Sequence, residues 1–383
     1  MKKWILLVCM VLLCTGCALG EPQSNVPDTT AEPAPVVRYL NTDPAAEDAW
    51  NDLATQYTRR TGIKVEVTTM VAPSLEPLLT GADAPTVFHV LVPGNGESFV
   101  DHCLDLTGTA LDQSVEAEEF ILREDGKIYG ISYQTNLCGL LVNTTLLEKA
   151  GFFYEEIRDF ASLKAIADNI HNRAEELGFD AFQADTPSGA FDYLANVPLY
   201  YEFRDHGFDG HPEKIGGAYL PAIKNFWDLY LSASPENSAT NCVFSLGSQA
   251  DMTAEQVMLP VYCGVDGEVD QGLCVEYMDT WCVNKNARQV DIDASIAFLH
   301  WLWTSEEGKA AIDDFGGLSL SQYVRQQAAG NAPYLMTWAC SEIPHFSQWK
   351  KTVSSALESY EHGGSWDAVE NAFISGWQSS HSE

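Results

Sequence analysis

Apolar positions along the chain repeat in two rhythms, a period of two in short runs and a period near 3.6 in longer ones, and the two kinds of run take turns. Residues 36–40 and 63–68 read as strands, and 86–92 is a nearly continuous apolar strand. Between them Asp43-Pro44 opens a helix that runs to Arg60, with Ala49, Trp50, Leu53, Ala54 and Tyr57 at helical spacing. A short helical patch covers 75–79. Strand, helix, strand, helix, strand predicts parallel pairing with right-handed crossovers. Ligands of open α/β sheets bind beyond the carboxyl ends of the strands. That rule picks out Asp43 after the first strand and Asn95 after the third.

The most informative stretch is 125–152. Asp125-Gly126 is a turn signal, Lys127 to Ile131 a β-prone run, and Leu137 to Val142 an apolar run suited to a strand buried on both faces. Asn143-Thr144-Thr145 caps a helix over 144–150, which Gly151 ends. Between the two predicted strands lies the uncharged loop Ser132-Tyr133-Gln134-Thr135-Asn136, with an aromatic ring, two amides and two hydroxyls for a polar, uncharged solute.

Farther on, 160–177 is a long amphipathic helix, with Phe160, Leu163, Ile166, Ala167, Ile170, Ala174 and Leu177 on one face. A strand over 179–184 follows, then helices at 190–197 and 215–231. The alternating acids of 266–270 lack the spacing of a calcium loop and read as a solvated hairpin turn. Helices over 290–304, 319–328, 346–360 and 366–377 complete the pattern.

The chain has 383 residues and a formal charge of −33, which disfavours nucleic acid and anionic lipid as partners. Residues 1–17 have a basic start at Lys2 and Lys3, an apolar stretch too short to span a bilayer, and the close Cys14-Thr15-Gly16-Cys17, which together read as an export signal. Small residues before Cys17 resemble a bacterial lipobox, with Cys14 where an aliphatic residue is usual. Cys17 is then the lipid attachment site; the alternative is a plain secretory signal. Residues 18–35 are rich in Pro, Thr, Ser and acids and read as a flexible tether. Seven further cysteines, an odd number, lie mostly in apolar runs and read as free core thiols, with one disulfide among Cys263, Cys274 and Cys282 as the alternative. No nucleophile elbow, P-loop, zinc-protease motif or dinucleotide fingerprint is present, so neither an enzyme, a cofactor nor a metal site is expected.

The ordered string D-G-K-I-Y-G-I-S-Y…L-L-V-N-T-T-L-L-E-K-A-G-F at 125–152 resembles the hinge-crossing segment of the extracellular solute-binding proteins of bacterial ABC importers, family 1, the maltose- and oligosaccharide-binding branch. The string A-S-I-A-F-L-H-W-L-W-T-S-E-E-G-K at 294–309 resembles the first-lobe helix of the same family, and 272–285 resembles its returning segment. The resemblance implies an α/β, two-lobe periplasmic-binding-protein-like fold (type II), each lobe a mostly parallel sheet flanked by helices. The first lobe would comprise 36–135 plus 286–331, the second 136–285 plus 332–383. It implies a lipid-anchored monomer on the extracellular face of the cell membrane that captures a carbohydrate, an oligosaccharide above all, and hands it to a membrane permease.

Carried onto this chain, the resemblance nominates Asp43, Asn95, Tyr133, Gln134, Asn136, Tyr277, Asp279, Trp281 and Trp338 as ligand groups, with Tyr133, Gln134 and Asn136 facing Asp279 and Trp281 across one cleft. The alternatives are a polyamine, a peptide or another cationic solute on the same fold, with Asp43, Glu276 and Asp279 as counter-charges, and more remotely a surface glycosidase or glycan-adhesion lipoprotein.

Overall fold

Among the described residues eleven strands join in one sheet that serves two large hydrophobic cores and one small cluster. The strands are β1 (Val36–Asn41), β2 (Lys64–Thr69), β3 (Val87–Val92), β4 (Ile121–Glu124), β5 (Lys127–Asn143), β6 (Asp180–Phe182), β7 (Cys242–Ser248), β8 (Gln256–Leu259), β9 (Leu273–Val283), β10 (Leu318–Ser319) and β11 (Leu335–Met336). The helices are α1 (Glu47–Thr61), α2 (Leu75–Leu78), α3 (Thr144–Ala150), α4 (Phe160–Asn172), α5 (Ala174–Leu177), α6 (Phe191–Asp205), α7 (Leu220–Ser232), α8 (Gln289–Thr304), α9 (Glu306–Asp313), α10 (Leu320–Ala328), α11 (Phe346–Glu361) and α12 (Trp366–Ser380). The computed structural model describes residues 33–71, 74–92, 101–117, 120–124, 126–184, 191–206, 214–235, 241–328, 335–336 and 346–380. The export signal, Cys17, the tether up to residue 32, Asp125, Asn95 and Trp338 lie outside them.

The main strand order is β2-β1-β3-β9-β5-β7-β6. β1 pairs in parallel with both β2 and β3, and β6 pairs in parallel with β7. The long strands β5 and β9 run antiparallel to each other and to their neighbours in that order, while the short β11 pairs with β9 in parallel. Both pass from one core to the other. On β5 Ile128, Ile131, Tyr133 and Leu137 belong to the first core, and Cys138, Leu140 and Val142 to the second.

The first core packs α1 and α8 on the sheet through Trp50, Leu53, Tyr57, Phe298, Leu299 and Leu302. The second gathers α4, α6, α7, α11 and α12 around Ile166, Leu199, Trp227, Trp349 and Trp377. Each such aliphatic or aromatic side chain contributes on the order of 1.5–3 kcal/mol when fully removed from water.

Three local expectations change. Residues 132–136 are not a loop, because β5 continues through them to give one strand of 17 residues. Their backbone groups bond to β9, with bulges between Ser132 and Gln134 and between Asn136 and Leu137. The single helix expected over 160–177 is two helices. Arg173 leaves helical geometry at φ −112°, ψ 12°, and its guanidinium donates to the Ala150 carbonyl that ends α3, at 3.1 Å.

The acidic segment at 266–270 is not simply solvated. Glu268 is buried and its carboxylate accepts from the backbone N–H groups of Phe160, Cys263 and Gly264 at 2.6–2.7 Å. It thus ties the start of α4 to the segment before β9.

Candidate functional site

The carboxyl ends of β1 and β3 point to the place where β5 and β9 leave the first core. At the end of β1 the buried Asn41 shapes the turn: its amide donates to the Asp43 carbonyl at 2.6 Å and to Thr69 Oγ1 at 3.2 Å. Asp43 is exposed and caps the following helical turn by accepting from the Ala45 N–H at 2.8 Å. At the end of β3, Leu91 stands opposite Asp279 of β9 and stays 41% exposed, which leaves apolar surface beside that carboxyl.

Asp279 is the chemically unusual group. Burial pushes its carboxyl up to about 7, and the nearby Asp43 carboxylate adds to the shift. Among the described residues neither acid has a Lys or Arg ion pair. On the neighbouring strand Gln134 stands opposite Asp279, and Asn136 opposite Tyr277. Gln134 is half-buried and its amide donates to the Gly316 carbonyl. Gly317, at φ 69°, lies so close that a Cβ there would be 2.7 Å from the Thr135 carbonyl oxygen. Asn136 is buried. Across the junction Gln249, just past β7, keeps its side-chain oxygen buried with no partner among the described residues.

Two of the aromatic candidates, Trp281 and Tyr133, are buried behind this polar row. Trp281 is 0% exposed and Tyr133 4%. Their rings stack at 4.4 Å and 17°, and Trp50 meets both edge-on at 6.4 and 6.0 Å. Trp50 and Tyr39, from α1 and β1, pack around the two rings. Tyr133, Gln134 and Asn136 do not face Asp279 and Trp281 across a cleft. They lie beside them on the adjacent, hydrogen-bonded strand.

A buried polar chain runs through the cluster. The Trp281 indole N–H only donates, and it reaches the Tyr39 hydroxyl oxygen at 3.1 Å. The Tyr39 proton is left to donate to His89 Nε2. His89 then carries its own proton on Nδ1, 3.3 Å from the Tyr133 hydroxyl. Burial pushes His89 down to about 3, so it is neutral across the physiological range. Burial also raises the Tyr39 phenol, with Asp279 adding to the effect and the Trp281 hydrogen bond opposing it. His89 and Tyr39 escaped the reading of the sequence because each sits singly in an apolar strand.

No protein-family model matches the sequence, and no curated protein resembles it closely enough to count as a relative. Solved structures do match in shape. A family 1 extracellular solute-binding protein from Bifidobacterium longum subsp. infantis aligns at TM-score 0.66 and 16% identity, over 90% of this chain and 99% of that one. The chain has the two-lobe solute-binding-protein fold. The GacH receptor of Streptomyces glaucescens, known unliganded and with acarbose, aligns at TM-score 0.60 and 16% identity, over 91% of this chain and 98% of its own. A solute-binding protein of an ABC transporter from Thermotoga lettingae, bound to α-D-tagatose, aligns at TM-score 0.60 and 12% identity, over 91% and 99%. Gln134, Asn136 and Asp279 lie where β5 and β9 pass from one core to the other, with Asp43 near Asp279.

Proposed function

We propose that this protein is the substrate-binding receptor of an ABC importer and that it captures a carbohydrate between its lobes for delivery to a membrane permease. The observation that carries the proposal is the convergence of the β1 and β3 carboxyl ends with the crossing strands β5 and β9, where Asp43, Gln134, Asn136 and Asp279 collect. Carboxyl and amide groups of this kind hold hydroxyl pairs by two hydrogen bonds at once. The solved neighbours that bind acarbose or tagatose support the same class of ligand. Tyr277 of β9, with Asn95 and Trp338, completes the proposed ligand set. The first lobe is 36–135 plus 286–331, and the second 136–285 plus 332–383. A ligand that touches both lobes only when they are closed favours the closed form by the difference in affinity.

The test is a thermal-shift series with mono- and oligosaccharides. A ligand at about a hundred times its Kd adds about 2.7 kcal/mol of stability, which raises the midpoint by several degrees. No shift with any sugar at millimolar concentration would overturn the carbohydrate reading. A second reading rests on Asp43 and Asp279, two acids without a basic partner among the described residues: a cationic solute such as a polyamine. A shift with polyamines and none with sugars selects it.

The receptor works as a monomer held at the outer face of the membrane by a lipid on Cys17, with residues 18–35 as a tether. A Cys17→Ser variant expressed in a lipoprotein-processing bacterium should move from the membrane fraction to the soluble one. An unchanged membrane fraction would exclude the anchor.

A further inference from the structure

We infer that Cys103 and Cys282 form a disulfide when the chain folds in an oxidising medium, which staples the strand returning from the second lobe to the segment leaving the first. The backbone sets the geometry. Cys103 stands opposite Asn284 in an antiparallel bridge. The Leu104 N–H donates to the Val283 carbonyl at 2.8 Å and the Lys285 N–H to the His102 carbonyl at 2.9 Å. The bonds flank Cys103 and Asn284, so this is a non-hydrogen-bonded pair, in which facing residues approach most closely, and Cys282 stands diagonal to Cys103. Cys282 lies two residues before Asn284, so its side chain falls on the same face of the sheet as that of Cys103.

There the two thiols share a small apolar cluster with Leu40, Leu79, Phe88 and Val90, and they are 2% and 0% exposed. Burial holds the Cys282 thiol well above its ordinary pKa, and Cys103, within hydrogen-bonding reach, raises it further. The competing pair is Cys138 and Cys274, which also stand opposite each other, on β5 and β9. The Cys274 thiol, however, is engaged by Asn196.

Enclosed, protonated thiols react slowly, so the bond forms while the chain is still closing. With glutathione disulfide as oxidant, one cysteine thiolate attacks a glutathione sulfur and releases one glutathione thiolate. The second cysteine thiolate then attacks the mixed disulfide and releases the other. Two electrons pass to glutathione, and the two cysteine protons end on its two thiols. The bond closes a loop of about 180 residues that contains most of the second lobe, and long loops give the largest constraint on the unfolded chain.

The experiment refolds the full chain from urea and reductant into a reduced and oxidised glutathione buffer, alkylates the remaining thiols and maps peptides by mass. The expected result is one cross-link joining the Cys103 and Cys282 peptides, with Cys138, Cys263 and Cys274 alkylated. The oxidised product should melt about 5 °C above the reduced one. Both effects should vanish in Cys103→Ser and persist in Cys138→Ala. Alkylation of both Cys103 and Cys282 after redox refolding would overturn the inference, as would a cross-link between Cys138 and Cys274. The wild-type map decides the question even where a variant fails to fold.

Discussion

Trp281→Ala is expected to cost about 3–5 kcal/mol of folding stability, the range found when a large aromatic is deleted from a closed core. The site cannot collapse to fill the space. Tyr133 stacks on the ring, Trp50 meets it at 6.4 Å and 72°, and the indole is fully buried. The loss also removes the donor to the Tyr39 hydroxyl, which is itself the link to His89. Trp281→Phe keeps much of the stack and loses only the N–H bond, so it should cost nearer 1 kcal/mol beyond the smaller volume. Urea unfolding of the two variants checks this. A loss below 1 kcal/mol in Trp281→Ala would mean that the ring is not enclosed in solution and that a ligand face is available after all.

Asp279→Asn should stabilise the unliganded protein at alkaline pH and leave it unchanged in acid. The folded-state pKa of about 7 lies above the ordinary 3.8, so the folded protein holds the proton more tightly than the unfolded chain. Stability contributed by this group is complete below about pH 4, falls as pH rises from 4 to 7, and stays reduced above 7. Asparagine mimics the protonated form and removes that slope. The gain at pH 8 is on the order of 2–4 kcal/mol, the lower figure applying to the extent that solvent reaches the carboxyl. Thermal melts of both proteins from pH 4.5 to 8.5 read it directly, and parallel curves across that window would refute it. In the presence of the solute the variant should lose affinity by about tenfold, the worth of one charge-assisted hydrogen bond.

Where a signal is local, sequence alone located it. Asn143 accepts from the Leu146 N–H at 3.0 Å and Gly151 adopts φ 94°, so α3 begins and ends where those two residues place it. The parallel start of the sheet followed from alternating strands and helices in the same way. The continuity of β5 through Ser132–Asn136 was hidden, because a polar run has no strand signature until a partner is known. That partner, β9, lies about 145 residues away. The burial of Trp281 was equally hidden, since the rings that enclose it come from α1, β1 and β5. Of the candidate site, the acids and amides at the crossing were legible by residue type. Their arrangement side by side on two paired strands required the register.

That register has a consequence for how the molecule is made. Val36 at the start of the sheet is held by the carboxylate of Asp291, and Arg38 shares the same acid at 3.7 Å. Ser132 bonds to Thr280 and Thr86 to Ser295. The first core opens the chain but is closed by α8, which is synthesised after β5 to β9 and before α11 and α12 of the second core. Its early strands β1, β2 and β3 pair with one another but wait for β9 to extend the sheet and for α8 to cover it. Contacts so far apart in sequence make slow folding the rule. A chain cut at residue 285 loses α8 from the first core and α11 and α12 from the second, so neither core should form complete.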